Sequence, residues 1–187
     1  LSDKKDAAGL EFAASCGIPT QVVPRLPKQR STAEFNTVLA DAVEQFRPDL
    51  IVLAGYMRVV APEFIRRFPD RIINIHPALL PSFRGLHGQA QALAAGVRFA
   101  GATVHFVVEE VDAGPIIAQA VVPVLPGDDE EKLSARILRQ EHILLPAVVQ
   151  AVAAGAVQLV RNEAGDQVIV DSRCNTSTEE DSLVSIR

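Results

Sequence analysis

An amide, an imidazole and a carboxylate stand in this chain at spacings that permit acyl chemistry. In I-I-N-I-H-P-A-L-L-P-S-F-R-G-L-H-G, residues 72–88, an apolar run delivers Asn74 and His76 at its end, and Asp112 follows a later apolar run in E-E-V-D-A-G-P. Two residues apart on a strand, Asn74 and His76 leave the same face. Asp112, in the loop after another strand, reaches the sheet edge where open α/β sheets bind ligands. An amine attacking a carbonyl builds a tetrahedral carbon with a growing oxyanion. An amide N–H and a donating imidazole stabilise that charge, at about 2.7–4 kcal/mol for each well-placed donor. A carboxylate beside them orients the imidazole, favours its charged form and, through a water, carries the proton that the attacking nitrogen sheds.

The same residues have plainer uses. Asn and His often cap strand ends and turns, and Asp112 before Ala113-Gly114-Pro115 suits an Asx turn equally well. Two other chemistries fit worse. Ser82 lacks the G-x-S-x-G elbow of a serine hydrolase. No pair among His76, His87 and His105 has the i, i+4 relation of a helical zinc site, so no metal is expected.

The elements that must position these residues read as alternating helices and strands. Asp6 to Cys16 is a helix ending at Gly17, and Thr20 to Val23 a short strand. Ser31 with Glu34 three residues on makes a capping box for a helix to about Phe46, with Phe35, Val38, Leu39, Ala42, Val43 and Phe46 on one buried face. Leu50 to Ala54 is a continuous apolar run, as in a strand buried on both faces. Pro62 opens a short helix to about Phe68. After the Ile72 strand and its proline-rich loop come a helix over 89–95, strands over 102–108 and 116–124, and a long helix that starts among Asp128, Asp129, Glu130 and Glu131 and ends near Gly155. Pro146 inside that helix predicts a kink or a break. Gln167 to Val170 reads as a further small strand, and C-N-T-S-T-E-E-D-S after it as a polar, mobile tail. This order predicts an α/β fold with a mostly parallel sheet and helices on both faces.

Composition excludes several partners. The 187 residues are 48% hydrophobic and 22% charged, as expected of one soluble globular domain plus a tail. The net charge is -5 and the basic residues are scattered, so no nucleic-acid footprint is expected. No apolar run approaches the roughly 18 residues of a membrane span. Cys16 and Cys174 are far apart with no C-x-x-C, which suits a reducing cytoplasm.

The string N-I-H-P-A-L-L-P-S-F-R-G-L-H-G, with G-A-T-V-H-F-V-V-E-E-V-D-A-G-P-I-I-A-Q after it, closely resembles the phosphoribosylglycinamide formyltransferase family of folate-dependent enzymes, from about Asp3 to Gly155. The resemblance implies a Rossmann-like formyltransferase fold, a formyltransferase domain over 1–158 and a C-terminal extension over 159–187. It places the catalytic set on Asn74, His76 and Asp112. It implies a folate site formed by Met57, Arg58, Val59, Val60, Ile72 and Asn74 with the loop Val108, Glu109, Glu110 and Asp112. His76 and Glu141 meet the acceptor by the same likeness, and His87 and His105 support the site, His105 by fixing the carboxylate. The implied donor is 10-formyltetrahydrofolate and the acceptor glycinamide ribonucleotide, in purine synthesis. The plainer reading of Met57 and Val60 is ordinary core, and of Glu141 a solvated helix residue.

Formyltetrahydrofolate hydrolase and other folate formyltransferases share N-x-H and the aspartate, and remain the alternatives within this chemistry. The pattern differs from the family at one end. The family's first strand and its G-x-G-S/T-N phosphate loop are missing before Leu1. A longer natural chain, a misassigned start, and a second copy completing the sheet as a homodimer all account for that. A different class of reading is an inactive folate-binding fragment or an interaction subunit.

Overall fold

A computed structural model describes residues 1–25, 31–162, 165–170 and 184–186. They form two units, one of residues 1–50 and 60–69 and the other of residues 51–59 and 70–187. The first holds three helices: α1 (Ala8–Ser15), α2 (Thr32–Gln45) and α3 (Pro62–Arg67). Helix α1 ends at Cys16 with Gly17 at φ 71°, the left-handed glycine the sequence predicts. The capping box of α2 forms in full: the Ser31 hydroxyl accepts from Glu34 N, and Glu34 reaches back to Ser31 N at 2.6 Å. Phe35 and Ala42 join Val23 in a core, with Val38 and Leu39 packed against it. Phe46, placed on that face by periodicity, is 43% exposed, because α2 has ended one residue earlier. Buried Asn36 accepts a hydrogen bond from Ala61 N at 3.1 Å, capping α3 from outside. Arg67 bridges back to Asp41 and Glu44. The strand expected over Thr20 to Val23 is a single parallel bridge from Ser2 to Val22, since the described chain offers it only one residue to pair with.

The second unit carries β1 (Ile51–Leu53), β2 (Ile72–His76), α4 (Gly88–Ala94), β3 (Phe99–Phe106), β4 (Ile116–Pro123), α5 (Glu130–Ala153), β5 (Val157–Asn162), β6 (Gly165–Val170) and β7 (Val184–Ile186). A five-stranded sheet has the order β1-β2-β3-β4-β7, and β5 and β6 form a separate antiparallel pair. Helix α5 packs against β3 and β4, and α4 packs against α5. The fold is α/β, as the sequence predicts.

The expected mostly parallel pairing needs correction among the described strands. Only β1 and β2 run parallel; β2–β3, β3–β4 and β4–β7 are antiparallel. The reason lies in α4. The chain leaves β2 at His76 and enters β3 at Phe99, and the register places His76 opposite Thr103, so α4 stays at one end of the sheet instead of crossing its face. A short loop then returns β3 into β4. Strand β1, read as buried on both faces, exposes 38% of Val52, because it ends the sheet. Helix α5 runs unbroken through Pro146. Leu144 and Val148 on either side are fully buried, and that packing holds the helix across the one backbone bond proline cannot make. Cys16 is exposed, while Cys174 and the polar tail lie outside the described residues.

The β4–α5 junction is held by charge. Asp129 caps α5 by accepting from Lys132 N at 2.8 Å. Arg136 grips Asp128 with both nitrogens, at 2.6 and 3.0 Å, and also donates to the Pro123 carbonyl at 2.8 Å. That guanidinium, with the Leu125 N–H, holds the Asp128 carboxyl down at about 2. A depressed carboxyl stabilises the fold above its ordinary value of 3.8 and loses that contribution as pH falls through about 2. Arg136→Ala should therefore melt lower than the parent at neutral pH, with the gap narrowing as melts are repeated down to about pH 2. A gap that widens on acidification contradicts this.

Candidate active site

Register assembles the site. Across β2 and β3, Asn74 faces His105 and His76 faces Thr103; across β3 and β4, Thr103 faces Gln119. Cross-strand partners share a face, and residues two apart share it too. One face of the sheet therefore carries Asn74, His76, Thr103, His105 and Gln119. The alternating positions carry the buried apolar residues Ile73, Ala102, Val104, Ala118 and Ala120.

His105 is almost fully buried, and its ring has one arrangement that satisfies its neighbours. Nδ1 lies 2.8 Å from the Phe106 carbonyl, which can only accept, so Nδ1 carries the hydrogen. Burial pushes the imidazole below its ordinary value, against the Phe106 bond and the Asp112 charge. The ring is thus neutral, and Nε2 presents a lone pair to the Asn74 Nδ2 hydrogen at 3.3 Å. This fixes which way the Asn74 amide faces and leaves its second N–H for a ligand. The sequence predicted that His105 fixes the carboxylate. It stands 3.7 Å from Asp112 Oδ1, and its hydrogen bond goes to Asn74.

His76 sits between two acceptors. Its Nε2 is 3.0 Å from the Phe83 carbonyl, and its Nδ1 is 3.4 Å from Asp112 Oδ2. A ring carrying hydrogens on both nitrogens meets both neighbours as a donor. Asp112 itself is at φ 51°, a left-handed conformation that aspartate adopts more readily than most residues. Its Oδ2 accepts from Gly85 N at 2.8 Å.

Two loops are tied together over this cluster. Besides the Gly85–Asp112 bond, Arg84 pairs with Glu110 at 2.7 Å. Gln91 of α4 donates to the Arg84 and Leu86 carbonyls at 3.2 and 3.0 Å. Gly114 lets the second loop lie against β3: an added Cβ would fall 1.8 Å from the Phe106 oxygen. Gly85, Gln91, Thr103, Gly114 and Gln119 are structural parts of the site that sequence reasoning missed. Each acts through register or loop contact, and only the D-A-G-P string gave any local signal.

Met57 and Val59 are 71% and 60% exposed on the segment after β1, with Arg58 exposed between them. Ile72 is buried at the far end of β2, where its carbonyl accepts from Val107 N at 2.9 Å. Val60 is buried within the first unit. Val108 is half-buried, and Glu109 and Glu110 are exposed. His87 is exposed at φ 61° just before α4, and no hydrogen bond or ion pair joins it to the cluster among the described residues. Glu141 projects from α5 half-buried; burial pushes its carboxyl up, against the pull of His142 and His76. No group of three or more His, Cys, Asp or Glu among the described residues is placed to hold a metal.

The formyl transferase family profile matches residues 1–149. The chain belongs to the formyl transferase family. A formyl transferase from Escherichia coli, phosphoribosylglycinamide formyltransferase, is 41% identical over 88% of this chain and 77% of its own length. The trifunctional purine biosynthetic protein adenosine-3 of Bos taurus is 47% identical over 87% of this chain, but the match spans 16% of that longer protein. A crystal structure of phosphoribosylglycinamide formyltransferase from Anaplasma phagocytophilum superposes with a TM-score of 0.80 at 41% identity, over 95% of this chain and 80% of that one. The resemblance first seen in the two sequence blocks is thus a family relationship. In this formyl transferase those blocks are β2 with its loop, and β3 through β4. No helix among the described residues is long and apolar enough to cross a membrane.

Proposed function

We propose that this formyl transferase moves the formyl group of 10-formyltetrahydrofolate to the amine of glycinamide ribonucleotide in purine synthesis, with residues 1–158 as its formyltransferase domain and 159–187 as an extension. The observation that carries the reading is the convergence of Asn74, His76 and Asp112 at the end of β2, each with its orientation fixed by a neighbour. Asn74, turned by His105, offers a free N–H to the oxyanion. His76, between the Phe83 carbonyl and Asp112, places positive charge beside it. The acceptor nitrogen forms its bond to the formyl carbon and sheds one proton; the folate nitrogen leaves with the bonding pair and takes one up. Asp112 relays that proton, directly or through water, so protons balance over the step. Met57, Arg58, Val59, Val60, Ile72 and the loop Val108 to Asp112 serve the folate, and His87 supports the loop before α4. The family names on the similar chains support the choice of acceptor.

Glu141 serves the acceptor's cationic end in this reading. Its raised carboxyl makes a charged Glu141 a burden on the fold: stability is present below the ordinary carboxylate range and declines as pH rises through the raised value. The test supplies both substrates and follows formylated product and tetrahydrofolate by mass spectrometry. The expected result is equal formation of the two, and Glu141→Gln should raise KM for the ribonucleotide about tenfold or more while melting no lower than the parent. Formate released without acceptor would make the protein a hydrolase, and no turnover at all would end the transfer reading.

A further inference from the structure

We infer that Gln119, on β4, is a positioning residue for this site: its side-chain amide sets the backbone of the 77–83 loop and, through the Phe83 carbonyl, the ring of His76. The role rests on the transfer reading above, but the contacts that define it do not. Gln119 Nε2 lies 2.9 Å from the Leu80 carbonyl and 3.0 Å from Thr103 Oγ1. A carbonyl only accepts, so the atom beside it is the amide nitrogen, and its second hydrogen goes to the threonine hydroxyl.

That choice dictates the rest of the network. Thr103 Oγ1 also receives the Leu80 N–H at 3.1 Å, so both of its lone pairs are taken. Its own hydrogen has one destination, the Ala78 carbonyl at 2.7 Å. Three backbone groups of the loop are thereby fixed to a rigid sheet row, His76–Thr103–Gln119. A turn from Leu79 O to Ser82 N at 3.0 Å carries the constraint to Phe83. Phe83 is at φ 58° and its carbonyl faces His76 Nε2 at 3.0 Å. A non-glycine residue in that conformation persists only where its surroundings over-determine it. The loop contributes its own bonds, Ala78 N to the His76 carbonyl at 2.9 Å and Leu80 N, shared with Thr103, to the Ala78 carbonyl at 3.2 Å, and its sheet-side anchors run through Gln119 and Thr103.

Gln119 therefore does more than fill space. An apolar side chain of the same size would pack at a half-buried strand position without ordering an amide, whereas both amide hydrogens here serve the loop and its anchor. Misplacing His76 by a fraction of an ångström to an ångström weakens the charge it offers the oxyanion and leaves remote binding contacts intact.

The experiment compares the whole chain with Gln119→Met, which keeps length and removes both donors, and with Gln119→Glu, which regains one donor only when protonated. In Gln119→Met, kcat should fall about tenfold or more with KM for both substrates within about twofold. The ring nitrogen resonances of His76 should shift, and the Leu80 amide should exchange faster. In Gln119→Glu, the rate relative to the parent should climb as pH is lowered. Parent-like kcat with unchanged His76 resonances overturns the role, and so does a fall confined to KM. If the parent shows no formyl transfer, the functional reading fails by itself, and the His76 resonances and Leu80 exchange still decide whether Gln119 holds the loop.

Discussion

Asp112→Asn should lower formyl transfer on the order of 10³-fold while leaving folate binding within about tenfold and the fold intact. The substitution is isosteric, and asparagine tolerates the left-handed φ of 51° at this position. Its single carbonyl can still accept from Gly85 N, which Asp112 Oδ2 meets at 2.8 Å. The amide NH2 then falls where Asp112 Oδ1 stood, 3.7 Å from His105 Nε2, and competes there with Asn74 for the one lone pair. Two losses follow. His76 loses the carboxylate that stood 3.4 Å from its Nδ1, and the group that relays the amine's proton no longer exists. Rates with both substrates, a folate titration and a melting curve check this together. Retained turnover removes Asp112 from the proton path, and a collapsed melting temperature assigns it to the fold instead.

Much of this site was legible because strand geometry has a short period. Asn74 and His76, two apart in an apolar run, share a face in any strand, and the structure places them so. The capping box at Ser31 was legible for the same reason, since its bond partners lie within three residues, whereas Asp129 was read only as one of the acidic residues at the start of α5 and the structure makes it the cap. What the sequence hid depends on which residue of one strand lies opposite which residue of another. The family resemblance placed His105 near the carboxylate without saying which strand it would face. The register sets it opposite Asn74, thirty-one residues away, and that pairing decides its hydrogen bond.

Pairing direction failed for a related reason. Strand, helix, strand reads as a parallel crossover, but α4 has seven residues and the chain enters β3 at the end where it left β2. Local periodicity says which residues share a strand face and is silent on which way the next strand runs. Thr103 and Gln119 were invisible on the same ground. Each is a polar residue inside an apolar strand with no local partner, and only the loop folded back over them gives their hydrogen bonds a purpose.

Gly114→Ala should be the most damaging single-methyl change in the second loop, through distance and not through φ. Its added Cβ would lie 1.8 Å from the Phe106 oxygen and 2.8 Å from the Phe106 carbon, both backbone atoms of β3 that no rotamer change can move. The loop must retreat, which breaks the 2.9 Å bond from Phe106 N to Pro115 O at the start of β4. Overpacking of this kind costs about 1–3 kcal/mol, or roughly 2–4 °C of melting temperature per kcal/mol for a chain of this size. The larger effect should be on rate. Asp112 lies two residues before Gly114, so a retreat of about an ångström lengthens its contacts to both His76 and Gly85, and a misplacement of that size costs about 10²-fold. Gly9→Ala in α1 is the matched control: nothing lies within 4 Å of its added Cβ, and alanine there should add up to about 1 kcal/mol of helix stability with turnover unchanged. If Gly114→Ala turns over like Gly9→Ala, the close approach of the loop to β3 is not what holds Asp112 in place.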